Sequence, residues 1–427
     1  MSIAMLERRE AVSADPDARE VRTGPCIALL GLFGGRNLGN EASFDRMVVL
    51  LGERLPDARL SAIASDPAAI AARHGIAGVD LAPAASNSIS YRVLNRLLLR
   101  VPARVVHALA AWRTIGQIDA VVVPGTGALD DFGCRPFGYP ADMLTWCWAA
   151  RLRGRPLLFV SIGAGPAVDP ISRAFFKWAA QSASFRSFRD RPSKAFVTGL
   201  GVDTSSDPIA PDLVFALEPP ARTADRDSGR LRVGLGVMTY YGWAGDPGRG
   251  AQTRDTYLDK IALFAERLVE AGHEVRLIVG EHSDEAAVAD CRARLRGRLS
   301  DELMARVTSG PIDTFAELID AIRETDVVVA TRFHNIVAAL VCGRPAISLG
   351  YAEKNDVLMA DVGLGDFCQS IEALDVERLH RQFERLVAER EHLAALVNTR
   401  VDQYRAALAQ QAGEVAERLR SAARTHT

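Results

Sequence analysis

Short, unbroken apolar runs, each followed by glycines and then by a helix-patterned stretch, recur along this 427-residue chain. This repetition restricts the fold more than any other feature. Runs without alternation are what strands buried on both faces of a parallel sheet look like, and strands alternating with helices make a doubly wound α/β architecture. CIALLGL (Cys26–Leu32) reads as such a strand, followed by glycines and the helical FDRMVVLLGERL. DAVVVPGTGAL (Asp119–Leu129) is a strand and a glycine loop; PLLFVSIGAGPA (Pro156–Ala167) is another, with the helical ISRAFFKWAAQSA behind it.

The grammar stops at EPPARTADRDSGR (Glu218–Arg230), whose prolines and charges read as a linker, and then restarts. LRVGLGVM, HEVRLIVG, DVVVAT and RPAISLGY are strands; YLDKIALFAERLVEAG, TFAELIDAIRET and NIVAALVCG are helices. The pattern predicts a tail (1–23), a first α/β domain (24–217), a linker (218–230), a second α/β domain (231–370) and C-terminal helices (371–427). In that last segment Leu379, Phe383, Leu386, Leu393, Val397, Tyr404 and Leu408 fall on one helical face.

Composition excludes several classes. Lys+Arg at 51 against Asp+Glu at 53 give a net charge of -2, which speaks against nucleic acid as the main partner. The six cysteines form no CxxC pair and none stands beside a His at ligand spacing, so a reducing cytoplasm is the simplest reading. The charged N-terminus lacks the apolar core of a signal peptide, and no apolar run reaches the length of a membrane span.

Ligands of open parallel sheets bind at the carboxyl ends of the strands, beside helix N-termini. Four loops stand there. GGRNLGNE (Gly34–Glu41) offers Asn37, Gly39 and Asn40 either to a ligand or to a tight turn capped by Asn40. PGTGALDD (Pro124–Asp131) offers Gly125, Thr126 and Gly127; Asp130 and Asp131 read as solvated acids rather than metal ligands. In SFRSFRDRPSKAF, Arg189 could grip an anion or sit in a surface salt bridge with Asp190. The fourth loop is the most informative. The strand Asp326–Ala330 ends in Thr331-Arg332-Phe333-His334, and a helix starting near Asn335 runs to Gly343. Arg332 there supports anion binding at a helix N-terminus, and His334 is a general acid/base candidate. Lys354 lies after the next strand, on the same edge.

GRNLGNE, PGTGALDD, SFRDRPSKAFVTGLGV with APDLVFAL, and TRFHNIVAALVCGRPAISLGYAEK together resemble the motifs of the polysaccharide pyruvyl transferase family, from about Cys26 to Asp366. Asn40 stands where that family commonly has Asp, and Thr331 where Ser is common. The resemblance implies a GT-B-like pair of Rossmann-like domains with a cleft between them. It implies transfer of pyruvate from phosphoenolpyruvate to a sugar as a ketal, with no metal or cofactor required. On it, His334 and Arg332 are catalytic, and Arg189, Lys354, Asn335 and the two glycine loops bind substrate. The second domain takes phosphoenolpyruvate, and the first takes a saccharide acceptor, which lipid could carry. A GT-B-type glycosyltransferase using a nucleotide sugar, with Glu353 and Lys354 on the nucleotide, is the alternative.

One segment stands apart. YRVLNRLLLRVPARVVHALAAWRTIGQ (Tyr91–Gln117) lies within a stretch free of Asp and Glu, with Arg92, Arg96, Arg100 and Arg104 at four-residue spacing among apolar residues. It reads either as two helices, broken at Pro102, on a membrane surface, or as helices packed on the sheet with their arginines in solvent.

Overall fold

The computed structural model describes residues 24–35, 37–83, 101–219, 230–242 and 250–424. The expected tail, most of the expected linker, and the part of the arginine-rich segment before Val101, with Arg92, Arg96 and Arg100, lie outside them.

The first domain runs β1 (Cys26–Gly31), α1 (Leu38–Arg54), β2 (Arg59–Ala64), α2 (Pro67–His74), β3 (Gly78–Asp80), α3 (Val101–Ile115), β4 (Ala120–Pro124), β5 (Gly127–Leu129), α4 (Tyr139–Leu152), β6 (Leu157–Ala164), α5 (Pro170–Ser182), β7 (Phe185–Phe188) and α6 (Arg191–Gly199). Its seven strands form one sheet in the order β3-β2-β1-β4-β6-β5, with β7 also on β6. Every pairing between these strands is parallel. The apolar runs behave as their composition requires: all eight residues of β6 are buried. Helix starts follow local chemistry. Asp169 accepts from the N–H groups of Ile171 and Ser172 ahead of α5, and Asp190 accepts from Ser193 ahead of α6, each with Pro in the first turn.

The second domain runs β8 (Arg232–Gly236), α7 (Gly250–Glu270), β9 (Glu274–Ile278), α8 (Glu285–Arg296), α9 (Asp301–Met304), β10 (Val307–Ser309), α10 (Phe315–Arg323), β11 (Val327–Ala330), α11 (Phe333–Val341), β12 (Ala346–Gly350), α12 (Glu353–Asp361), β13 (Cys368–Ser370), α13 (Val376–Ala388) and α14 (Arg390–Arg424). Six parallel strands lie in the order β10-β9-β8-β11-β12-β13. In both sheets the order reverses beside the first strand, which opens a crevice at the carboxyl ends of β1 and β4, and of β8 and β11.

The two halves share one core. Ile27, Leu29 and Val122 of the first sheet belong to the same apolar cluster as Leu213, Phe215, Val328, Ile336 and Val415. A second cluster, on the other face of the first sheet, joins α3, α4 and α5 to Leu30, Val121 and Phe159. The helix α14 returns from the second domain to the first. Gln411 donates to the Ser161 hydroxyl at 2.8 Å, Arg420 to the Arg54 carbonyl at 2.8 Å, and Tyr404 packs on Phe215 at 4.8 Å between ring centroids. The expected apolar stripe is what seats it: Leu393, Val397 and Leu408 are buried.

Candidate active site

Three helix N-termini converge. Gly39 stands in the first turn of α1, His334 in the first turn of α11 and Lys354 in the first turn of α12. The His334 ring lies directly on Gly39: a Cβ built there would fall 1.9 Å from Nδ1. Lys354 Nζ is 5.9 Å from the centroid of the Phe333 ring and 5.3 Å from that of Tyr351. The residues that begin α11 and α12, Arg332 and Ala352, give no side-chain cap. Their first-turn N–H groups and the positive ends of the helices therefore remain for an anion.

On the first domain's side, Arg189 follows β7. It is buried rather than in a surface pair. Its guanidinium stacks 4.4 Å from the Phe333 ring centroid, donates to Asp212 at 3.2 Å and to Asp190 at 3.4 Å, and fits because Gly163 has no Cβ to meet it. Nη2 has no hydrogen-bonded partner among the described residues. Asp212, at the head of the 3-10 turn Leu213–Ala216, also stands 3.5 Å from His334 Nε2. Nothing in the sequence beyond the D-x-x-F-x-L pattern marks Asp212 as part of the site. Burial opposes its ionisation, but His334, Arg189 and the Val214 N–H hold its pKa down at about 2. Burial, with help from the charges of Arg189 and Lys354, pushes the His334 pKa below its ordinary value, and Asp212 only partly offsets this. Asp212 is thus held as a carboxylate beside an imidazole whose protonated form burial disfavours.

Arg332 is differently placed. Nε and Nη2 donate to the Asp284 carboxylate at 2.9 and 2.8 Å, and Nη1 lies 2.9 Å from Glu281. All three nitrogens face acids that follow β9. Glu281 is in turn bridged through its backbone to Asn37 across the domain junction. Asn335 follows in α11, which begins two residues earlier than the sequence predicts. Its amide is 1% exposed and lies against Gly236 and Gly280, with neither polar atom hydrogen-bonded.

The glycine loops are tighter than expected. Asn37, not Asn40, caps α1, accepting from Asn40 N at 3.2 Å, while the Asn40 side chain donates to the Leu32 carbonyl. Gly39 makes room for His334, and Gly125 and Gly127 make room for Ser43 and Asp130. Thr126 is buried with a left-handed φ of 62°, a strain of about 1–3 kcal/mol that clusters at functional sites. Asp130 and Asp131 are not solvated acids. Asp131 accepts from the N–H groups of Val168 and Asp169. Burial raises the Asp130 pKa, the charges of Lys354 and Arg189 counteracting in part. Among the described residues one trio, His282, Glu285 and Asp313, has ligand atoms within 4.8 Å of one another; all three are exposed. Glu353, the residue the nucleotide alternative calls on, is exposed at the start of α12.

Two parallel-sheet domains, a helix that crosses back and a site at the strand ends between them make up a GT-B-like fold. The chain belongs to the polysaccharide pyruvyl transferase family, whose sequence profile matches residues 37–353. Among solved structures it is similar to the UDP-GlcNAc 2-epimerase of Neisseria meningitidis bound to UDP-GlcNAc (10% identity, 87% of this chain and 94% of that one, TM-score 0.57). The UDP-GlcNAc 2-epimerase of Methanocaldococcus jannaschii (10% identity, 84% and 91%, TM-score 0.56) and the glycotransferase of kitacinnamycin (16% identity, 93% and 99%, TM-score 0.53) are also similar. At such identities these likenesses bear on the fold alone. No curated protein matches the sequence. No helix among the described residues is long and apolar enough to cross a membrane.

Proposed function

We propose that the enzyme moves pyruvate from phosphoenolpyruvate to two hydroxyls of a saccharide, closing a cyclic ketal and releasing phosphate. The observation that carries this is His334 held between Gly39 and Asp212, where three helix N-termini and Lys354 meet. Phosphoenolpyruvate brings a carboxylate and a phosphate. Lys354 makes no ion pair among the described residues, and with the free N–H groups of α11 and α12 and Nη2 of Arg189 it supplies the cationic side. On this reading the donor lies on the second domain's edge and the acceptor enters from the first.

The proton inventory is simple. His334 takes the proton of the first sugar hydroxyl as its oxygen bonds to the central carbon of phosphoenolpyruvate. The imidazolium so formed, stabilised by Asp212, gives that proton to the methylene carbon, which becomes a methyl group. Phosphate then leaves, with Lys354 and the helix ends stabilising its charge. The second hydroxyl attacks the same carbon and its proton departs with phosphate. Arg332 acts at one remove, holding Glu281 and Asp284 and through them the loop of Asn37.

The test is phosphate release from phosphoenolpyruvate with a panel of lipid-linked and nitrophenyl saccharide acceptors, with the product identified by mass as acceptor plus pyruvate less water. Glycosyl transfer from a nucleotide sugar, with no turnover of phosphoenolpyruvate, would overturn the proposal.

A further inference from the structure

The helices α3, α4 and α5 cover one face of the first sheet. Their inner sides are ordinary core: Ala111, Ile115, Met143, Cys147 and Phe176 are buried. Their outer sides are not ordinary. Leu152 is 72% exposed, Trp148 45% and Trp178 41%, and Val105, Leu109 and Trp112 are exposed on α3. The aromatic rings on and beside α4 and α5 are joined rather than scattered. The rings of Trp148 and Trp178 lie 5.8 Å apart, Phe175 reaches Trp178 at 6.2 Å and Phe137 reaches Phe175 at 5.9 Å. The Arg153 guanidinium covers Trp112 at 4.1 Å. A contiguous exposed apolar face of this kind marks a surface that meets something.

Charge says what it meets. The three helices carry Arg104, Arg113, Arg151, Arg173 and Lys177 against one acid, Asp142, which is buried and paired with Arg104. Arg153 and Arg155 follow directly on α4. The whole chain has slightly more acids than bases, 53 against 51, so this excess is local. Aliphatic residues between tryptophans, ringed by cations and free of exposed acids, are what a surface lying on an anionic bilayer needs: apolar groups enter the headgroup boundary, indoles sit at the interface and cations meet lipid phosphates.

The surface also connects to the site. The loop after β5 carries Asp130 and Phe132, whose ring stands 6.2 Å from Tyr351 of the second domain, and a few residues on it places Phe137 against the exposed aromatic row.

We propose that the outer face of α3–α5 is a peripheral docking surface for anionic lipid bilayers, through which the crevice is held beside the membrane. This goes beyond the chemistry proposed above, and it is read without turnover. The full chain is floated with vesicles of phosphatidylcholine, with and without phosphatidylglycerol, at low and high salt. The expected result is binding to the anionic vesicles only, lost at high salt. Binding should be weakened about tenfold or more by Arg151→Glu with Lys177→Glu, and also by Trp148→Gln with Trp178→Gln. Thermal melting checks that each variant is folded, and phosphate release with a short water-soluble acceptor should be unchanged in both. Failure of the folded wild-type protein to bind anionic vesicles, or binding indifferent to both variants, overturns the proposal. So does a dimer in sedimentation velocity that the tryptophan variant dissociates while vesicles bind nothing, which would give the face to a second copy of the chain.

Discussion

Gly39→Ala puts the arrangement around His334 to a severe test. The added methyl would stand 1.9 Å from Nδ1, 2.2 Å from Cε1 and 2.3 Å from Cγ of the imidazole. Contact between such atoms is comfortable at about 3.5 Å, so the ring must retreat by roughly 1.5 Å. A misplacement of about 1 Å already costs on the order of a hundredfold in rate, and loss of a general acid/base about 10²–10⁴-fold. The turnover number of Gly39→Ala is therefore expected to fall by at least about a hundredfold, with overpacking destabilising the fold by about 1–3 kcal/mol. The double-mutant cycle makes the argument specific. Gly39 has helical backbone, and alanine is about 0.5–1 kcal/mol better than glycine inside a helix. Once His334→Ala has removed the ring, Gly39→Ala should thus stabilise the protein and change the residual rate no further. Phosphate release and thermal melting of the four proteins read both signs. A folded Gly39→Ala enzyme with near wild-type turnover would refute the placement of His334.

Other outcomes follow from the same geometry. Asp212→Asn removes the charge that lifts the His334 pKa, so the rate should fall about 10²–10⁴-fold. The acid limb of kcat, where His334 protonates and activity is lost as pH falls, should move to lower pH. An unmoved limb in a pH–rate series would detach Asp212 from His334. Arg332→Ala leaves Asp284, which is fully buried, without its partner, and should destabilise the fold by about 3–5 kcal/mol in denaturant unfolding. If instead phosphoenolpyruvate affinity is lost at full stability, Arg332 is a ligand after all. Lys354→Ala should raise the KM for phosphoenolpyruvate about tenfold or more and flatten its salt dependence; unchanged affinity by calorimetry would remove Lys354 from the site.

Much of the frame was legible because buried parallel strands announce themselves. CIALL, AVVV, LLFVSIGA and VVVA are apolar on both faces, all but the last run into glycine, and each is a strand at the sheet's centre. The flanking strands β3, β10 and β13 are three residues long and too short to carry a pattern. The site divides in the same way. Arg332, His334 and Lys354 are readable because each follows a legible strand at the ligand edge. Their partners are not, since Asp212 and Asp284 reach them from 122 and 48 positions away: Arg332 and Asp284 pair across 48 residues, and the distance from Asp212 to His334 is set only when the two domains close on each other. The glycines were legible as glycines, but the reason for them was not. Gly39 and Gly163 are there for a histidine and an arginine of this chain, not for open access by a ligand.

The returning helix α14 has a consequence for the order of folding. The first sheet is encoded early, yet part of its cover, through Gln411 on Ser161 and Arg420 on the end of α1, is encoded after the second sheet is complete. During synthesis the first domain must wait, with one apolar face incompletely covered, until the last helix leaves the ribosome. The first half expressed without α14 should therefore expose part of that face and aggregate more readily than the full chain.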